Sequence, residues 1–129
     1  IEKGPSVQNI TPAARDRLVG EARFLRAWAY YELATFFGGV PLYKSFAKSV
    51  DGSLPRSPQR EVYDFAIADL KAAEPGLPAT YNAANQGRAT KAAAQTLLAR
   101  IYLQLGDYPS ARTELQKVVA SGLYRIVDN

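Results

Sequence analysis

Gly20–Tyr43 reads GEARFLRAWAYYELATFFGGVPLY, the densest run of aromatic residues in the chain. Leu18, Ala22, Leu25, Ala29, Leu33 and Phe36 recur at steps of three and four, which places them on one stripe of an α-helix. Phe24, Trp28 and Tyr31 form a second stripe beside the first. A helix apolar over so wide an arc is expected to be covered from at least two sides. Trp28, Tyr30 and Tyr31 fit two roles, a flat platform for a ligand or the large buried surfaces of a helical core, and their mid-helix spacing among apolar neighbours favours the core. Arg23 and Arg26 also have two readings, an anion site or stems laid along apolar surface with the guanidinium groups on carboxylates or helix-end carbonyls. Glu21 and Glu32 in the same element support the second for Arg23.

Outward from this stretch, the sequence predicts four helices. Thr11 followed by Pro12 is a helix start, since the Thr hydroxyl accepts from a first-turn N–H and Pro has none to leave unpaired. The first helix then runs to about Phe37, where Gly38 and Gly39 permit a reversal and Pro41 forbids resumption. The Gly38-Gly39-Val40-Pro41 order does not make a phosphate-binding loop. Residues 1–9 read as a ragged lead-in, and residues 40–56, with Lys44, Lys48, Asp51, Gly52 and Pro55, as a long connector. Ser57-Pro58 repeats the start signal, and Val62, Ala66, Leu70 and Ala73 keep helical spacing until Glu74, Pro75 and Gly76. A loop over 79–88 leads to Thr90, the expected cap of a third helix burying Ala94, Leu97, Leu98, Ile101 and Leu105. Gly106 and Asp107 turn the chain into a fourth helix with Pro109 in its first turn, burying Ala111, Leu115 and Val118 and ending at Gly122. Leu123–Asn129 reads as a short tail.

Composition narrows the function. The 129 residues are 47% hydrophobic and 22% charged, with no Cys and no His. That removes disulfides, thiol catalysis, thiolate metal sites and the commonest general base together. No metal or cofactor is expected, and no enzyme activity. Asp64 and Asp69 lie five apart, do not project together, and are expected on a solvated face rather than as a hydrolytic pair. The formal charge of +4 is scattered among acidic residues, which argues against a nucleic-acid partner. Glu21, Arg23, Arg26 and Glu32 interrupt the only long apolar stretch, so no membrane-spanning helix is expected. The loop residues Tyr81, Asn82, Asn85 and Gln86 are the candidate ligand contacts, one aromatic and three amides where water is displaceable. Arg88 is read as reaching a neighbouring helix end.

The last two helices carry Leu98, Ala99 and Tyr102, then Gly106-Asp107-Tyr108, Ala111, Leu115 and Val118. This layout is similar to a tetratricopeptide repeat, although Gln95 stands where the repeat's first aromatic is usual. Leu25, Ala27 and Tyr30 recur as Leu97, Ala99 and Tyr102, an offset of 72 residues, about two repeats of roughly 34. The fold expected is therefore all-α, two antiparallel hairpins over about 11–74 and 90–122 in one domain spanning 1–129, with the long connector inside the first.

Three ordered segments, RFLRAWAYYELATFFGGVPLY, RSPQREVYDFAIADLKAAEPGLP and GRATKAAAQTLLARIYLQLGDYPSARTELQKVVASGLY, resemble the SusD/RagB family of outer-membrane nutrient-binding lipoproteins over residues 16–124. The resemblance implies a non-catalytic, outward-facing cell-surface protein that binds glycans or other nutrients and sits over a SusC-like TonB-dependent transporter. It also implies a longer parent with a lipidated N-terminal Cys, absent from this chain, and a ligand site built largely by other segments. Against it stands a plain tetratricopeptide scaffold that binds a peptide in its concave groove.

Overall fold

The computed structural model describes residues 10–44 and 54–125. The lead-in over 1–9, the connector residues Lys48, Asp51 and Gly52, and the last four residues of the tail lie outside that range. The described residues form an all-α fold with four helices, α1 (Pro12–Phe37), α2 (Gln59–Ala73), α3 (Lys91–Gln104) and α4 (Tyr108–Ala120). Thr11 caps α1 as its sequence requires, its Oγ1 accepting from the Ala14 N–H at 3.3 Å with Pro12 in the first turn. Thr90 and Asp107 cap α3 and α4 in the same way. α2 departs from the expected start: Pro58 stands at the cap with no side-chain bond, and the Ser57 N–H instead donates to the Val40 carbonyl at 3.0 Å.

α1 and α2 run antiparallel and form the first hairpin. Gly20 meets the end of α2 at Ala73, Arg26 meets Asp69, and Ala34 meets Gln59 at the start of α2. α3 pairs with α4 as the second hairpin, and α2 against α3 joins the two. One apolar core runs through both, with Leu70, Leu98, Ile101 and Val62 its largest fully enclosed side chains. The α2 stripe Val62, Ala66, Leu70 and Ala73 is wholly buried, as its spacing predicts.

α1 corrects the reading of its own stripes. Its buried face is Gly20, Ala27, Tyr30, Tyr31 and Ala34, whereas Leu18, Leu25, Leu33 and Phe36 of the most regular apolar stripe are exposed. Among the described residues α1 packs chiefly on α2 and only lightly on α3, and none of them supplies the expected cover from a second side. The repeat explains which face is which. Ala27 and Tyr30 are buried, as are Ala99 and Tyr102 at the offset of 72. Leu25 is 59% exposed and its counterpart Leu97 only 6%, because α3 lies between α2 and α4. In α4, Ala111 is buried, but Leu115 is exposed and Val118 half-buried. Glu114, which the apolar pattern passed over, is buried with both carboxylate oxygens accepting from Lys117.

Asp69 is also buried rather than solvated. Arg26 grips it with two hydrogen bonds, Nε to Oδ2 at 2.6 Å and Nη2 to Oδ1 at 2.7 Å, while its guanidinium lies 4.8 Å over the Phe65 ring. Arg23 donates to the Ala72 carbonyl in the last turn of α2 at 3.1 Å. Both arginines thus take the structural role.

The turn after α1 depends on close approach. Gly38 adopts φ 70°, and a Cβ on Gly39 would come within 2.3 Å of the Ser57 carbonyl oxygen, a contact only glycine avoids. Arg56 donates from Nε to the Gly39 carbonyl and from Nη2 to the Phe37 carbonyl, each at 2.7 Å, satisfying the open end of α1. The Leu97→Ala variant is expected to lose about 3 kcal/mol of stability, and Leu25→Ala, at the repeat-equivalent exposed site, less than about 1 kcal/mol. Urea denaturation of dilute protein checks the pair, and equal losses would refute the assignment of faces.

Candidate functional site

The loop between the hairpins is stapled to α1. Tyr81 donates its hydroxyl to Glu21 Oε1 at 2.5 Å, and Arg88 reaches the same carboxylate with Nε at 3.0 Å and also through Nη2. The Arg88 guanidinium lies 5.9 Å from the Tyr81 ring centroid. Arg88 therefore meets a carboxylate in α1, not the helix end its position suggested. Asn85 donates its amide to the Asn82 side-chain oxygen at 2.8 Å across a short 3-10 turn, and Lys91 N–H closes the loop onto the Pro78 carbonyl. Asn82 and Gln86 are exposed and Asn85 half-buried. The four candidate residues thus share one loop, in which the Tyr81 hydroxyl is already engaged.

Burial pushes the Glu21 carboxyl up, but hydrogen bonds from Arg88 and Tyr81 and the nearby charges of Arg88 and Arg17 outweigh it, so Glu21 titrates below its ordinary value of 4.5. For Tyr81, burial and then the Glu21 carboxylate raise the hydroxyl above its ordinary 10.0. The loop's anchor is an ionised carboxylate shared between a phenol and a guanidinium.

A second site lies where α1 and α3, the first helices of the two hairpins, face each other. A cleft of about 430 Å³ is lined from α1 by Phe24, Trp28 and Glu32, and from α3 by Ala93, Thr96, Leu97 and Arg100, with Val118 and Tyr124 completing the wall. That volume lies in the range of small-ligand sites. Trp28 is 48% exposed and not a core residue; Tyr30 and Tyr31 are buried as their spacing implies. The Trp28 indole N–H donates to Glu32 Oε1 at 3.1 Å and its ring is tilted 54° against Phe24 at 6.3 Å. Arg100 lies on the facing helix with its guanidinium 5.4 Å from the Tyr31 ring centroid. The cleft therefore gathers an aromatic face held by a hydrogen bond, a carboxylate and a guanidinium. Sequence spacing missed it because Trp28 and Arg100 are 72 residues apart and their juxtaposition exists only once the hairpins stack. The only signal was that both fall at the same repeat position.

The carboxylates of Asp64 and Asp69 are each engaged by an arginine, Arg60 at 3.1 Å and Arg26 at 2.6 Å. They do not converge with a third acidic group on the cleft.

A SusD-like family model described as "Starch-binding associating with outer membrane" matches residues 5–103. SusD-like protein P2 of Formosa agariphila is 39% identical over 106 residues, 79% of this chain and 20% of that protein. A SusD-like protein of Bacteroides fragilis has a solved structure 38% identical, with a TM-score of 0.86 over 93% of this chain and 23% of that one. A laminarin binding SusD-like protein is 30% identical, with a TM-score of 0.84 over 91% of this chain and 25% of that one. The chain thus spans about a fifth to a quarter of the length of these relatives.

Because the folded-state pKa of Glu21 is depressed, its contribution is present above pH 4.5 and is lost as pH falls through the folded value. Glu21→Gln is expected to lower the urea midpoint at pH 7, with the gap to the unmodified chain closing below pH 4.5. Urea titrations at pH 7 and pH 3 check this, and an undiminished gap at pH 3 would contradict it.

Proposed function

The chain belongs to the SusD-like family, and from that membership we propose that it is the helical repeat portion of a glycan-binding protein that works with a SusC-like TonB-dependent transporter in nutrient uptake. The family's description places it with the outer membrane. On this reading the parent is an outward-facing lipoprotein and the role is binding without catalysis, in keeping with a sequence that has no His and no Cys.

The half-exposed Trp28 in the cleft between α1 and α3 carries the reading. A pyranose offers C–H faces that pack on an aromatic ring and hydroxyls that bond carboxylates and guanidinium groups, and Trp28, Glu32 and Arg100 supply these types together. Glu32 orients the indole, and on this reading its second oxygen and the Arg100 guanidinium, which lines the same cleft, take the sugar hydroxyls. The loop of Tyr81, Asn82, Asn85 and Gln86 is proposed as a further contact, chiefly through the exposed amides of Asn82 and Gln86.

A second reading is favoured by the position of the cleft. It lies on the face shared by the first helices of successive hairpins, where a tetratricopeptide scaffold receives an extended peptide. Trp28 is the only tryptophan in the chain and so reports directly on the cleft. Saturable change in its emission with laminarin or starch oligosaccharides is expected. Trp28→Ala is expected to weaken binding by calorimetry at least about tenfold, for a stability loss of about 1 kcal/mol. No response to either saccharide, or full affinity in Trp28→Ala, would overturn the glycan reading; a response to an extended peptide alone would select the second.

A further inference from the structure

Glu21 stands at one end of the face that α1 turns toward the cleft. Glu21, Phe24, Trp28 and Glu32 recur at steps of three and four and share one side of the helix. Phe24, Trp28 and Glu32 line the cleft, and Glu21 lies about 10 Å along the axis from Trp28. The opposite wall belongs to α3, whose cap Thr90 lines the same cleft and follows Arg88 by two residues. The bonds from Tyr81 and Arg88 to Glu21 therefore fasten the start of one wall to the helix that carries the other.

Direct packing between the two walls is light among the described residues, since α1 rests chiefly on α2. The chain leaves α1 where Gly76 lies against the Asp16 carbonyl, passes through the loop, and returns to α1 at Arg88. The Glu21 side chain is only 13% exposed, so the tie is largely shielded from competing water. Arg17, one turn earlier in α1, adds its Nε 3.9 Å from Glu21 Oε1. We infer that Glu21 is a positioning residue for the cleft, setting the separation of α1 and α3 beside Trp28 through its bonds to Tyr81 and Arg88. This rests on the glycan reading for the ligand alone; the spacing is a property of the free chain. A preset spacing spares a ligand the ordering of the walls, and affinity is gained by that preorganisation.

Acrylamide quenching of Trp28 at pH 7, without saccharide, reads the cleft directly. Glu21→Gln and Arg88→Ala are each expected to raise the quenching constant, and the double variant to raise it no further, since both act on one tie. Val62→Ala removes buried volume on α2 away from the cleft, controls for lost stability, and is expected to leave quenching unchanged. Circular dichroism confirms that each variant is folded. With laminarin oligosaccharide, Glu21→Gln is expected to weaken binding about tenfold, a usual size for coupling between linked sites, and Val62→Ala to leave it unchanged. Unchanged quenching in both staple variants, an equal rise in Val62→Ala, or full saccharide affinity in Glu21→Gln overturns the inference. Absence of saccharide binding by the unmodified chain counts against the glycan reading alone, and the quenching comparison then decides the role of Glu21.

Discussion

The fold depends on how closely α1 and α2 approach. Ala27 and Ala34 on one helix and Ala66 and Ala73 on the other are fully buried small residues that let the backbones approach, with the Tyr31–Tyr63 ring pair filling the space between them. Small residues alone permit sliding, and the Arg26–Asp69 pair prevents it. Its two hydrogen bonds fix where α2 lies along α1, and the aromatic packing of Tyr30 against Phe65 at 5.3 Å holds the same level. Such a pair contributes more to register than to net stability, because its desolvation offsets much of its attraction. With that register set, the end of α2 lies against Gly20 and the second hairpin docks on the first.

Helix number, the caps at Thr11 and Thr90 and the buried stripe of α2 were legible in the sequence because each depends on residues within a turn or two of one another, whereas the start expected at Ser57 was not found. Thr11-Pro12, Thr90 and the spacing of Val62, Ala66 and Leu70 are of this kind. What sequence reading inverted was the face of α1. Periodicity reports that a stripe is apolar and says nothing about which neighbour covers it. Among the described residues α1 has α2 as its principal neighbour, whereas α3 lies between α2 and α4, so the same stripe is exposed on one helix and buried on the other. Asp69 was misread for a related reason: its partner Arg26 is 43 residues away, and no local pattern distinguishes a paired buried carboxylate from a solvated one.

The same limit applies to the candidate site. An exposed loop rich in amides is visible in sequence, and so was the loop of Tyr81 to Gln86, although the engagement of Tyr81 by Glu21 was not. The cleft at Trp28 is the opposite case. Its aromatic lies in a run that reads as core, and only the stacking of α3 across from α1 shows that half of the indole remains open beside Glu32 and Arg100. Resemblance named the family from ordered segments, whereas the geometry of individual side chains decides which of those residues support the fold and which are left for a ligand.

The connector between the first two helices has its ends fastened. The Val40–Ser57 bridge and the two hydrogen bonds of Arg56 to the end of α1 close it at the neck, independently of what lies between. Doubling the length of a loop whose ends are already joined costs only about 0.6 kcal/mol of closure entropy. The neck thus makes this segment a natural point of insertion, where sequence can lengthen, shorten or change while the helix pair keeps its packing.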